Sequence, residues 1–173
     1  MQTFPSTSVN PHAPRHKPLR TLNGLCDLYD LNYALLLELM PALANRERYS
    51  EWLAGNVTHL SLPTTAGADE PLHARVVECS PYTTTIKLSY HFFDESAAEG
   101  ERWVPDPDLE VRVYHDAQQA ETLHCGRNTH CDILRQFRGA ASSGMERRWQ
   151  VNQLLHKWLE YLLHHGQRFP VLA

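Results

Sequence analysis

Apolar side chains recur at three- to four-residue spacing near both ends of this chain and at two-residue spacing between them. That change of period predicts helix, sheet and helix. The first helical stretch opens at Asn23, a capping residue type, with Asp27 close behind it near the positive end of the helix dipole. Leu25, Leu28, Leu35, Leu36, Leu39, Met40 and Leu43 then form one broad stripe until Pro41 ends or kinks the helix, with a further short turn expected at Tyr49 and Trp52. The second helical stretch opens at Ser143-Gly-Met-Glu146, which fits a capping box. Trp149, Val151, Leu154, Leu155, Trp158, Leu159, Leu162 and Leu163 keep to one side of it, and Gln150, Gln153, Lys157, Glu160 and His164 to the other. Gly166 supplies a left-handed stop, and Pro170 prevents continuation.

Strands are expected at 57–62, 72–78, 82–92, 109–116 and 119–125. The clearest is 109–116, where Leu109, Val111 and Val113 alternate with Glu110, Arg112 and Tyr114, so that one face is core and the other is wet. If Cys79-Ser80-Pro81 is a three-residue loop, Glu78 faces Tyr82, Val76 faces Thr84, Ala74 faces Ile86 and Leu72 faces Leu88. The apolar members then point inward, and His73, Arg75, Thr83, Thr85, Lys87 and Ser89 form a solvated face. Segment 94–108 is acidic and holds Gly100, Pro105 and Pro107, so it reads as a long exposed connection whose Trp103 folds back to bury its ring. Ala117-Gln118 is a tight turn, and 132–137 forms a brief helix or a last edge strand. The resulting class is α+β, an antiparallel meander of about five strands with an N-terminal and a long C-terminal helix packed on one face.

Composition narrows this picture. The 173 residues have room for one ordinary domain, assigned to 21–173, after a proline-rich tail over 1–20 that buries too little surface to order. A net charge of −4 argues against a nucleic-acid partner, which needs clustered Lys and Arg. Arg138, Arg147 and Arg148 are read as a solvated helix start. No apolar run approaches the roughly 20 residues of a spanning helix, so no membrane association is expected. Four cysteines in a chain of this size, without an export signal, read as reduced thiols in a cytoplasmic protein.

Three stretches carry a family resemblance: Val76-Val-Glu-Cys-Ser-Pro-Tyr-Thr-Thr84, Val111-Arg-Val-Tyr-His-Asp-Ala117, and Asn152-Gln-Leu-Leu-His-Lys-Trp-Leu-Glu-Tyr-Leu-Leu-His-His-Gly166. The chain resembles the YqiB-like family of bacterial cytoplasmic proteins, a domain of unknown function, over about residues 22–170. The resemblance implies no activity, ligand or catalytic residue.

Candidate chemistry therefore rests on the residues themselves. The expected meander gathers Glu78, Tyr82 and His115 on the inward face at one end of the sheet, with Arg112, Tyr114 and Asp116 nearby on the other face. A carboxylate, a phenol and an imidazole at such a mouth suit a small polar or anionic ligand, or acid/base work, because imidazole titrates near neutrality. The plainer alternative is that they satisfy one another at a strand end. His124-Cys125 and His130-Cys131 combine zinc-ligand types, but neighbours on a strand face opposite ways and the spacing is wrong, so no metal site is assigned. Cys79 reads as an ordinary turn residue. Nucleophile elbows, phosphate loops and metalloprotease helices are absent, and no cofactor is expected. The favoured reading is a non-enzymatic binding or accessory domain contacting a protein partner or small polar ligand. A small hydrolase or other acid/base enzyme using His115 with Glu78 or Asp116 is the alternative.

Overall fold

The structure, a computed structural model, describes residues 20–44, 59–62, 71–93, 95, 103–126 and 144–169. The expectations for the tail before residue 20, Tyr49, Trp52, 132–137, Arg138, Ser143 and Pro170 lie outside the described residues. Helix α1 (Leu22–Leu39) leads into a 3-10 turn (Pro41–Ala44). Strands β1 (His59–Leu62), β2 (Leu72–Cys79), β3 (Thr83–Phe93), β4 (Trp103–Tyr114) and β5 (Gln119–Cys125) follow, and then helix α2 (Gly144–His164). The strands pair antiparallel in the order β1-β2-β3-β4-β5, which is the meander expected from the alternating pattern. No helix among the described residues is long and apolar enough to cross a membrane.

Both helices pack their stripes onto one face of the sheet. Leu36 and Leu39 of α1, Leu155, Leu159 and Leu162 of α2, and Leu72, Ile86, Leu88, Leu109, Val111 and Val113 of the strands are almost wholly buried together. Each such side chain contributes roughly 1.5–3 kcal/mol relative to exposure, so this cluster dominates the stability of the fold. Helix α1 starts two residues earlier than the capping pattern suggests. Thr21 is the cap, accepting the Gly24 N–H on its hydroxyl at 3.1 Å, and Asn23 is already helical. Pro41 ends α1 as expected. The far end of α2 closes in the arrangement that Gly166 predicts, with φ +72°, Gly166 N–H donating to Leu163 O and Gln167 N–H to Leu162 O. The chain then docks back on α1, where Phe169 is buried and its N–H donates to Leu39 O at 2.8 Å.

A polar seam runs through this apolar packing. Asn152 of α2 is fully buried; its Oδ1 accepts the Thr122 N–H of β5 at 2.9 Å and its Nδ2 donates to Arg148 O at 2.8 Å. Asn32 of α1 is equally buried and donates to Asn152 O at 3.2 Å. Its Oδ1 lies 3.2 Å from His156 Nδ1, which donates to it, and His156 Nε2 is 3.6 Å from Glu160. The seam joins α1, α2 and β5.

Two of the three register shifts among the described residues decide which side chains of β2 and β4 reach the open face. In β2, Val76 pairs with Ile86 but Glu78 pairs with Thr85, so Val77 is an extra residue and the alternation flips beyond it. Between β3 and β4, Ser89 pairs with Asp108 and His91 with Pro105, leaving two residues of β4 (Asp106 and Pro107, joined by a cis peptide bond) opposite Tyr90 alone. That flip brings Pro105 and Trp103 to the face that carries Asp108. The segment 103–108 is thus strand, where the sequence pattern suggests a connection. Trp103 does not bury its ring: it is 59% exposed and stands edge-on to Phe93 at 5.4 Å, because β3 continues to Phe93 and β4 must pair with it.

Candidate functional site

The residues expected to converge at the sheet mouth are divided between its faces. β2 and β3 are joined by Ser80-Pro81-Tyr82, one residue later than expected, with Ser80 N–H donating to Thr83 O; the register of the inner rows moves by two and the apolar partners stay inward: Ala74 faces Leu88 and Val76 faces Ile86. The bulge at Val77 then turns Glu78 to the outer face, away from the helices. There Arg112 donates from Nε to Thr85 Oγ1 at 3.2 Å and from Nη2 to Glu78 Oε2 at 3.4 Å. His115 stays on the inner side, where its Nε2 is hydrogen-bonded to the buried Thr84 Oγ1 at 2.9 Å. Thr84 and Thr85 are neighbours pointing opposite ways, so Glu78 and His115 are on opposite sides of the sheet. Tyr82 is exposed, and what joins it to His115 is backbone: His115 N–H donates to Tyr82 O at 2.9 Å. Asp116 accepts the Ala117 N–H inside its own turn, in which Gln118 takes a positive φ of 56°.

Arg112 and Tyr114 thus share a face with Glu78 instead of opposing it. Tyr114 donates to Glu121 Oε1 at 2.7 Å, and burial first, then this bond to the carboxylate, raises its phenol above the usual value. Tyr29 reaches the same carboxylate from α1 and is pushed up to about 12, chiefly by burial and next by the charge of Glu121, with Arg148 opposing. Gln119 donates to Asp30 on α1 at 2.9 Å, so α1 runs along β5, the last strand of the sheet. Half-exposed ion pairs such as Glu78 with Arg112 contribute little.

A different part of the outer face is concave. Over β2, β3 and β4 lies a hollow of about 310 Å³ whose polar end is formed by Arg75, Lys87, Ser89 and Asp108. Arg75 and Lys87 are direct partners across the β2/β3 ladder, and like charges placed so repel each other. Among the described residues Asp108 is the one carboxylate lining the hollow, 3.7 Å from Lys87 Nζ, so two cations face one anion there. His73 and His91 form the next course, with ring centroids 4.6 Å apart. The same two imidazoles line a second hollow of about 360 Å³ that continues to Trp103. The polar members His73, Arg75, Lys87 and Ser89 are legible in sequence as one solvated face. The aromatic end is not, because Trp103 joins it only through the bulge in β4.

Of the zinc-ligand types, His124 and Cys125 are consecutive residues of β5, opposite Glu110 and Leu109, with Cys125 packed against the core. His130 and Cys131 lie outside the described residues. Among the described residues no three His, Cys, Asp or Glu side chains are grouped to hold a metal.

A five-stranded antiparallel meander with two helices on one face and a polar concavity on the other defines an α+β protein. The chain belongs to the family described as "Protein of unknown function (DUF1249)", whose model matches residues 35–168. It is 29% identical over 91 residues to the "Uncharacterized protein YqiB" of Escherichia coli strain K12. That alignment covers 53% of this chain and 61% of the relative, so the match spans less than two thirds of the curated protein. YqiB of Escherichia coli O6:H1 strain CFT073 matches to the same extent. No solved structure matches the chain.

Proposed function

We propose that this chain is a non-enzymatic binding domain that holds a small anionic ligand, a phosphate or carboxylate, in the hollow over β2, β3 and β4. The observation that carries the reading is the direct cross-strand pairing of Arg75 with Lys87 in a concavity lined, among the described residues, by one carboxylate. Two cations placed face to face repel, and an anion seated between them removes that repulsion while gaining charge-assisted hydrogen bonds. Ser89 and the imidazoles add further hydrogen-bonding groups, which fix orientation.

Thermal unfolding in sodium phosphate, against sodium chloride of equal ionic strength, tests it. Ligand at about 100 times Kd adds about 2.7 kcal/mol, and each kcal/mol is worth roughly 2–4 °C in a chain of this size. The expected result is a saturable rise of several degrees that disappears in Arg75→Ala/Lys87→Ala. Because phosphate stabilises proteins generally by exclusion from their surfaces, the comparison of wild type with the double variant is the decisive one. Equal rises in both proteins would sink the reading.

A further inference from the structure

We infer that the ligand of this groove is a planar aromatic or heterocyclic ring carrying an anionic group, of which a nucleoside monophosphate is the type; the inference rests on the anion reading above. The two hollows are one bipartite groove, since His73 and His91 line both. The cations stand at one end, and at the other Trp103 leaves more than half of its surface uncovered although its edge contact with Phe93 holds the ring in place. A tryptophan ordered at one edge and bare elsewhere is a stacking platform, because every planar base or ring presents a π-face to it.

The spacing suits one compact ligand. Successive outward residues on a strand are about 7 Å apart, so the Arg75/Lys87 row is about 7 Å from the His73/Ser89 row and about 13 Å from His91. An anion seated between the cations therefore carries a ring attached by a short linker into the imidazole pair and toward Trp103. A bare phosphate fills only the first hollow and leaves the aromatic end without a role. The bulge in β4 is what brings Trp103 to this face, so the chain spends a ladder irregularity on assembling the two ends.

Calorimetric titration with adenosine monophosphate, adenosine and inorganic phosphate, paired with saturation-transfer NMR of the adenine protons, tests the inference. The expected result is binding of adenosine monophosphate at least roughly tenfold tighter than phosphate, as one base–aromatic stack allows, with saturation passing to the adenine protons. Trp103→Ala, a change at an exposed ring that leaves the core intact, should then reduce adenosine monophosphate to the affinity of phosphate. Equal affinity for phosphate and adenosine monophosphate, with no effect of Trp103→Ala, would overturn the ring inference and leave the anion reading standing. Failure of both probes to bind would overturn both.

Discussion

Asn152 shows how much one side chain does in this molecule. It satisfies the Thr122 N–H on β5 and the Arg148 carbonyl on its own helix while its backbone oxygen receives Asn32 from α1. Replacing it with alanine leaves the buried Thr122 donor unmet, a penalty of about 1–3 kcal/mol. Asn152→Ala should therefore lower Tm by roughly 2–12 °C, measured by circular dichroism. The tyrosines make a second prediction. Burial first, then the charge of Glu121, pushes the Tyr29 phenol up from the usual 10.0 to about 12, so the proton is held more tightly when folded. A raised value contributes stability that is intact below pH 10 and lost as pH climbs through the folded value, here between 10 and 12. Tyr33, Tyr90 and Tyr114 are raised too, so they act in the same direction. In urea titrations at pH 8 and pH 11, Tyr29→Phe should lose less stability between the two than wild type does. An equal loss would remove Tyr29 from the alkaline response.

At the scale of elements, the helices were the most legible part and the strand irregularities the least. Leu25, Leu28, Leu35, Leu36, Leu39, Met40 and Leu43 are all buried, because a 3.6-residue period has one physical solution. The Asn32/Asn152/His156 seam escapes pattern reading, since polar residues inside an apolar stripe reveal a partner only when the second helix is in place. Bulges escape it for a different reason. Val77 and the Asp106-Pro107 step add a residue to one strand, and nothing in a period-two pattern tells which strand yields. One such residue was enough to part Glu78 from His115, and another to carry Trp103 to the groove. Glycines mark two places where an element depends on a missing Cβ. Gly166→Ala should cost about 1–2 kcal/mol through its left-handed backbone, read by denaturant midpoint. At the end of β5, a Cβ on Gly126 would come within 2.8 Å of Asp108 Cβ. Gly126→Ala should therefore push Asp108 away from Lys87 and lower stability by about 1–3 kcal/mol, with the larger movement seen in the amide resonances of β4.

The molecule as a whole is a sheet with unequal faces. The inner face is closed by two helices whose apolar stripes were visible from the first residues. The outer face divides into a charge row around Arg112 and Glu121, and a groove in which Arg75 stands across from Lys87, itself paired with Asp108. Catalysis through His115 finds no support in this division, because Glu78 lies across the sheet and Asp116 is tied into its own turn. The central claim is that anions bind on the open face between β2, β3 and β4. Amide chemical-shift mapping of isotope-labelled protein during a phosphate titration at constant ionic strength tests it most directly. The account predicts saturable shifts concentrated at His73, Arg75, Lys87, Ser89 and His91. Saturable shifts centred on the turn at Tyr82 and His115, or on the end of α2, would contradict it.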